Sequence, residues 1–514
     1  MKNQFIKFAG LVISCAVISA CSTDFEDPIG DASYNNGEAD FSKFVSIGDS
    51  LTAGYADGAL YLSGQENSYP AILAQQFAKV GGGSFAQPLV SDNLGGVLVG
   101  GAADLNLDGE PDMPNRLVLN AEPKNPPTDL DPKGPEPIAG TPTTEATSVL
   151  TGEFNNMGVP GAKSFHLLSD DYGNPAFIGA GANPYFLRFA SSTTTSMITD
   201  AATQQPSFFV MWIGNNDVLS YATTGGIGTD QLGSNLDPET YGSNDITDPT
   251  AFADVYTELV SALTTDDNVN AKGVLINIPD ISTIPYFTTV PYNPIPLDQA
   301  TADLLNTNYA QYNGVVAALL AGDPEEVAKR TITFSAGQNA VVILDEDLTD
   351  LAGSGLPSMR QATANDLIVL PSSSKIGELV DPNADPTAPT SLRWGISAPL
   401  EDGDVLIPSE IQAIDTARIA FNATIKTAAD ANDNLLFVDV AAIVEELSTT
   451  GIDYGTGFIN ATYATGGGFS LDGIHPTARA YAVIANRIID AINSGFNANI
   501  PPVDPGAHTT IFIK

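Results

Sequence analysis

The sequence predicts a doubly wound α/β domain: a three-layer α/β/α arrangement whose central sheet is mostly parallel and whose connections carry long insertions. Short, continuously apolar runs recur along the chain, as parallel strands buried on both faces require. Segments of helical periodicity fall between them, the alternation that builds a sheet covered on both sides. The two motifs richest in reactive groups lie near opposite ends of the chain, around Ser50 and His475, so one core has to be assembled from both ends.

The elements follow in order. Residues 1–21 read as a processing leader, with Lys2 and Lys7 around a basic start, an apolar run from Phe8 to Ile18, and Ser19-Ala20-Cys21 at its close. The run is shorter than the roughly 20 apolar residues of a membrane-spanning helix. Val17-Ile18-Ser19-Ala20-Cys21 resembles the lipobox of bacterial lipoproteins, which implies lipidation of Cys21 and anchorage in the cell envelope, at the outer membrane and with surface exposure as an option. An ordinary secretory signal is the alternative. Asp24-Phe25-Glu26-Asp27 resembles the surface-export signal of Bacteroidota lipoproteins, or is simply part of a solvated tether over 22–40. Strands are expected at 44–47, 208–213, 273–278 and 435–440, and helices at 69–80, 193–204, 250–265, 298–320, 408–430 and 476–494. Together they define a domain over 41–495, with insertions near 81–149, 223–249 and 331–400 and a C-terminal tail over 496–514. Connections this long are usually functional or partly disordered.

Composition narrows the function classes. With 20 basic against 61 acidic residues the net charge is −41, and removal of Lys2 and Lys7 with the leader makes it more negative still. Such a field repels a phosphate backbone, which excludes nucleic acid as a partner. The chain is nevertheless globular in composition, 43% hydrophobic and 16% charged. Cys15 would leave with the leader, so Cys21 alone remains and no intramolecular disulfide is possible.

Gly48-Asp49-Ser50-Leu51 closes the first strand, and one of only three histidines sits in Asp472-Gly473-Ile474-His475-Pro476. A serine hydroxyl is a weak nucleophile at neutral pH and needs an imidazole within hydrogen-bond reach, itself oriented by a carboxylate. Ser50 just past a strand's carboxyl end occupies the position where open α/β sheets bind ligands. Asp472, three residues before His475, is close enough to hold one ring nitrogen while the other faces the serine. Pro476 suits the first position of a helix, which would fix His475 at a helix start. Two further motifs intervene: a Gly-rich turn, Asn156-Met157-Gly158-Val159-Pro160-Gly161-Ala162-Lys163-Ser164, and Gly214-Asn215-Asn216-Asp217 after the run 208–213.

In this order the four blocks resemble the SGNH, or GDSL, family of serine esterases and lipases. The resemblance implies a flavodoxin-like fold with Ser50 as nucleophile, His475 as base and Asp472 as its orienting carboxylate. It further implies an oxyanion hole built from the N–H groups of Ser50 and Gly161 and the side-chain amide of Asn216, and no cofactor. The stretch between Ser50 and Gly161 is much longer than in compact members, which leaves the substrate cleft undefined. Glycine at 161 would let backbone approach the substrate without a Cβ.

The remaining candidates divide into supporting and accessory groups. Asp49 and Asp217 read as carboxylates that accept backbone hydrogen bonds and hold the two turns. His166 reads as a half-buried helix residue close enough to Gly161 to touch substrate, and His508 as an inert tail residue. Asp104-Leu105-Asn106-Leu107-Asp108-Gly109 matches the first half of a calcium loop, with Asp112 as a further oxygen. Asn115 stands where the bidentate Glu belongs, so a metal-free Asp/Asn turn is the better reading. The expectation is thus a lipid-anchored carboxylic-ester hydrolase acting on an acyl lipid or, alternatively, on an O-acetylated glycan. Leu89, Val90, Leu94, Val97, Leu98 and Val99 would form an apolar rim suited to acyl chains if exposed, or plain core if not. From another class, the rival is a surface binding or structural lipoprotein with a vestigial site, its long loops carrying the binding surface.

Overall fold

Five parallel strands frame the molecule: β1 (Phe44–Gly48), β2 (Asn156–Gly158), β3 (Phe208–Trp212), β4 (Lys272–Ile276) and β5 (Leu435–Val438). The computed structural model describes residues 33–103, 111–125, 129–265, 270–388 and 391–514. Their lateral order is β5-β4-β3-β1-β2, one of the two common doubly wound orders. β1 registers Phe44 against Phe208 and Gly48 against Trp212 on one side, and Gly48 against Gly158 on the other. The carboxyl ends of the three strands are therefore level, and the strand order reverses at β1. Every residue of β1 and β3 is buried, which explains why both read as unbroken apolar runs.

Helices cover both faces. Among the helices of the chain are α1 (Ser50–Ala53), α2 (Tyr69–Phe77), α3 (Met197–Thr203), α4 (Asn216–Thr223), α5 (Pro249–Thr264), α6 (Gln299–Leu319, in an insertion), α7 (Pro408–Asp430), α8 (Val440–Thr449) and α9 (Ala478–Gly495). On one face Phe44 and Phe208 meet Phe77 of α2, and α9 packs beside α2. On the other, Lys426 of α7 lies over Phe437 of β5, and Phe421 of α7 stacks on Phe252 of α5 with ring centroids 4.1 Å apart. Alternation along the strands sends these side chains to opposite faces, so the helices form two layers.

Several expectations change in detail. β2 reads as a turn in the sequence because three residues are too few to show periodicity, yet it is a buried edge strand. The apolar run expected to be strand through 440 ends at Val438, and Asp439 caps α8 by accepting from the N–H of Ala442. Helix 298–320 forms as α6, but it does not belong to a sheet layer. It lies within a larger insertion between β4 and α7 that has two apolar cores of its own, around Ile343 and Leu400 and around Tyr312 and Phe334. That insertion therefore extends on both sides of 331–400. Residues 33–40 of the segment read as tether, and the segment read as tail, dock on the frame: Asn35 bridges Asn499, Ala39 is buried, and Asn486 and Asn493 of α9 accept from the N–H groups of Val503 and Ile500. The backbone of Phe512 and Lys514 pairs with Leu119. Cys21 and the acidic segment after it lie outside the described residues, as does the run 104–110. Among the described residues no helix is long and apolar enough to cross a membrane.

Candidate active site

The loop after β1 and the loop before α9 meet at the carboxyl end of the sheet. Ser50 opens α1, where Asp49 caps the turn by accepting from the N–H of Leu51 at 2.9 Å. The Ser50 Oγ lies 2.9 Å from His475 Nε2, and His475 Nδ1 lies 2.9 Å from Asp472 Oδ2. All three side chains are largely buried. Asp472 also accepts from the N–H groups of Ile474 and His475, both at 2.8 Å, and from Gly58 N–H at 2.9 Å. Burial alone would raise its pKa, but the His475 charge and these hydrogen bonds override burial and hold it at about 2. Asp472 is thus a carboxylate at any physiological pH, and it keeps a proton on His475 Nδ1 so that Nε2 faces the serine as an acceptor.

His475 is not at a helix start. Pro476 precedes the cap residue Thr477, whose Oγ accepts from Ala480 N–H at 3.1 Å, and α9 begins only at Ala478. A tight turn fixes the histidine instead: its carbonyl accepts from Ser470 N–H at 2.8 Å, and the Tyr55 ring lies against the imidazole at a centroid distance of 4.7 Å. Gly473 adopts φ +74°, and a Cβ there would sit 3.0 Å from Tyr286 N and from the end of Leu370, both in the insertion. The insertion thus buttresses the turn carrying Asp472 and His475.

The other two blocks converge on the same place. Asn216, the first residue of α4, donates one amide N–H to the Ala162 carbonyl at 2.9 Å, which ties the end of β3 to the Gly161 turn and leaves its second N–H without an acceptor among the described residues. Gly161 is exposed, and its N–H has no backbone acceptor among the described residues. The fold supplies its own reason for glycine here: φ +81° is a conformation side chains rarely adopt, while within the protein a Cβ would meet only Asn183 Nδ2 at 4.0 Å. Asp49 and Asp217 hold turns as expected. Asp49 accepts from Asn215 Nδ2 at 2.9 Å, and Asp217 accepts from the N–H and hydroxyl of Ser164 at 2.8 and 2.7 Å. Burial raises both, Asp49 to about 6.

Sequence reasoning missed Tyr55, Asn215 and Asp57. Asp57 Oδ1 accepts from Leu471 N–H at 3.0 Å and its own N–H donates to Ser470 Oγ at 2.9 Å, so the stretch after Ser50 clamps the stretch before His475. The signal available was slight: an Asp-Gly pair, ordinary turn chemistry, at 57–58. His166 stacks on Tyr172 with centroids 4.4 Å apart and accepts from Lys163 N–H; burial, aided by the Lys163 charge, depresses it to about 3, so it is a neutral packing group on a 3₁₀ turn. His508 is half-buried and bonded to Asn67 at 2.8 Å, and so is not inert in the packing sense. Asn115 spends its amide on the carbonyls of Ile138 and Gly140. The expected apolar rim is divided: Val90, Val97 and Val99 belong to the main core, Leu94 and Leu98 are half-buried, and Leu89 is exposed.

A different apolar surface reaches the site. An apolar cavity begins at Ser50 and His475 and continues between α8 and α9. No protein-family model, no curated protein and no solved structure matches the chain.

Proposed function

We propose that this protein is a carboxylic-ester hydrolase of the SGNH type that works through an acyl-Ser50 intermediate. The observation that carries the reading is the unbroken chain of 2.9 Å contacts from Ser50 Oγ through His475 to Asp472. It stands at the strand-order reversal, where doubly wound sheets bind their ligands. In the first step Ser50 Oγ attacks the ester carbonyl as His475 Nε2 takes its proton, and Asp472 stabilises the imidazolium. The alcohol leaves with that proton. Water, deprotonated by His475, then attacks the acyl carbon, and the acid departs as Ser50 recovers its hydrogen. The oxyanion formed in each step would be met by the N–H groups of Ser50 and Gly161 and by the second amide N–H of Asn216. The strand order 2-1-3-4-5 and the placement of the four blocks on one sheet edge support the flavodoxin-like SGNH assignment. With the leader ending at Cys21, the proposal extends to a lipid-anchored enzyme of the cell envelope whose partners are its ester substrate and the membrane.

The test is turnover of p-nitrophenyl acetate and butyrate by the chain from residue 22. The expected result is hydrolysis that Ser50→Ala abolishes while the circular dichroism spectrum is unchanged. Hydrolysis that survives Ser50→Ala, or none on any ester, rejects the proposal.

A further inference from the structure

We infer that the cavity beneath Ser50 is an acyl-chain tunnel, so that the substrates are esters of medium- or long-chain fatty acids rather than acetylated glycans; the inference rests on the ester-hydrolase reading above. Apart from Ser50, His475 and Asn215, the side chains lining the cavity are apolar or aromatic. Its walls come from Val444 and Leu447 of α8, Val483 of α9, Ile284 of the insertion, and Ile459 and Phe469 of the loop between α8 and α9. Trp212, at the end of β3, also lines it and is itself buried, its indole N–H donating to the Asn277 carbonyl at 3.1 Å.

Three features select the occupant. The cavity runs into the protein interior from the nucleophile, so whatever enters it belongs to the substrate and must be a narrow arm. Beyond Ser50, His475 and Asn215 its side chains offer sugar hydroxyls no partners, and unpartnered polar groups there would carry the full cost of desolvation. An acetyl group would place a single methyl beyond the carbonyl and leave the apolar lining from Val444 to Phe469 without a partner. A fatty acyl chain meets that lining and is the apolar arm attached to the carbonyl that Ser50 attacks. The chain then stays in place while the Ser50 Oγ–acyl bond forms, the ester C–O bond breaks, and the alcohol departs with the proton from His475.

The test has a kinetic arm and a binding arm. Across p-nitrophenyl esters from acetate to decanoate, kcat/KM is expected to rise on the order of fourfold per added methylene until the tunnel is full. Ethyl octanoate should be cleaved faster than octyl acetate, which carries the same arm on the alcohol. Val444→Phe, and as a milder filling Val483→Leu, should lower the octanoate-to-acetate ratio about tenfold or more. Independently of turnover, sodium decanoate should change the Trp212 fluorescence of a Ser50→Ala, Trp394→Phe protein, which keeps one of the chain's two tryptophans. Serine-dependent acetate turnover with a flat chain-length profile, and no fluorescence response, overturns the tunnel and leaves the hydrolase standing. A preference for octyl acetate overturns its assignment to the acyl side. Decanoate binding without turnover of any ester rejects the hydrolase and keeps the cavity as a fatty-acid site.

Discussion

Ser50 and His475 meet at 2.9 Å although they are 425 residues apart in the chain, and each neighbour of the pair has a separable effect. Asn216 gives one N–H to Ala162 and has one left for a developing oxyanion, so Asn216→Ala should lower kcat by about 10²- to 10³-fold with a smaller change in KM. The same substitution also cuts the tie to the Gly161 turn; a rise in KM alone would point to that structural role instead. In the proposed mechanism Asp472 acts through His475 as a positioning group. Asp472→Asn preserves shape but permits the wrong tautomer, and kcat should fall by about 10⁴-fold; a loss below tenfold in steady-state kinetics would contradict the role. The reactive residues were legible because serine and histidine need specific neighbours. Tyr55, Asn215 and Asp57 were not, because a stacking ring, an amide and a turn carboxylate are ordinary residues until the fold puts them beside something reactive.

Element by element, long apolar segments were readable and short or polar ones were not. β1, β3 and β4 are buried on both faces and carry that burial as continuous hydrophobicity, and the edge strand β5 is apolar throughout although Leu436 and Phe437 are only half-buried. β2 consists of Asn, Met and Gly, with Asn156 bonded to the Thr52 carbonyl and to Gln87, and nothing local distinguishes it from a turn. The insertion between β4 and α7 is stabilised differently from the sheet. Its Arg360 is buried and donates to both oxygens of Asp366, at 2.8 and 2.7 Å, and to Asp345. Arg360→Leu would strand two buried carboxylates and should cost about 3–5 kcal/mol. The expected outcome is a separate early transition in chemical denaturation, reported by Trp394 fluorescence, ahead of unfolding of the sheet. A single transition with unchanged midpoint would show that the cluster holds nothing.

For the molecule as a whole, acidity sets the response to pH and salt. Asp49 and Asp57 are both pushed up to about 6, chiefly by burial, against about 3.9 in an unfolded chain. Between those values the folded form binds the additional protons, so stability is greatest below pH 4 for these two groups and falls as pH rises through 6. Asp472, held at about 2, works in reverse: its contribution is present above pH 4 and is lost as pH falls toward 2. The net charge of −41 adds self-repulsion that protonation and salt both relieve. Tm should therefore be higher at pH 5 than at pH 7.5, fall below pH 4, and rise with sodium chloride at pH 7.5. Equal Tm at pH 5 and 7.5 in low salt would contradict the burial argument.

The sequence by itself determined the α/β class, the main helices, the position of Ser50 after a strand, and the pairing of Asp472 with His475 that meets it. Those features are local: burial on both faces, helical period, and two reactive residues three apart are all written in consecutive residues. Tertiary structure alone decided that Asn216 braces the Gly161 turn, that residues 55–58 clamp the histidine loop, and that the valines after Ser91 are core. It also decided where the apolar surface at Ser50 comes from. Val444, Val483 and Ile284 lie on three elements distant in sequence, and an apolar residue lining a cavity is the same in sequence as one filling a core.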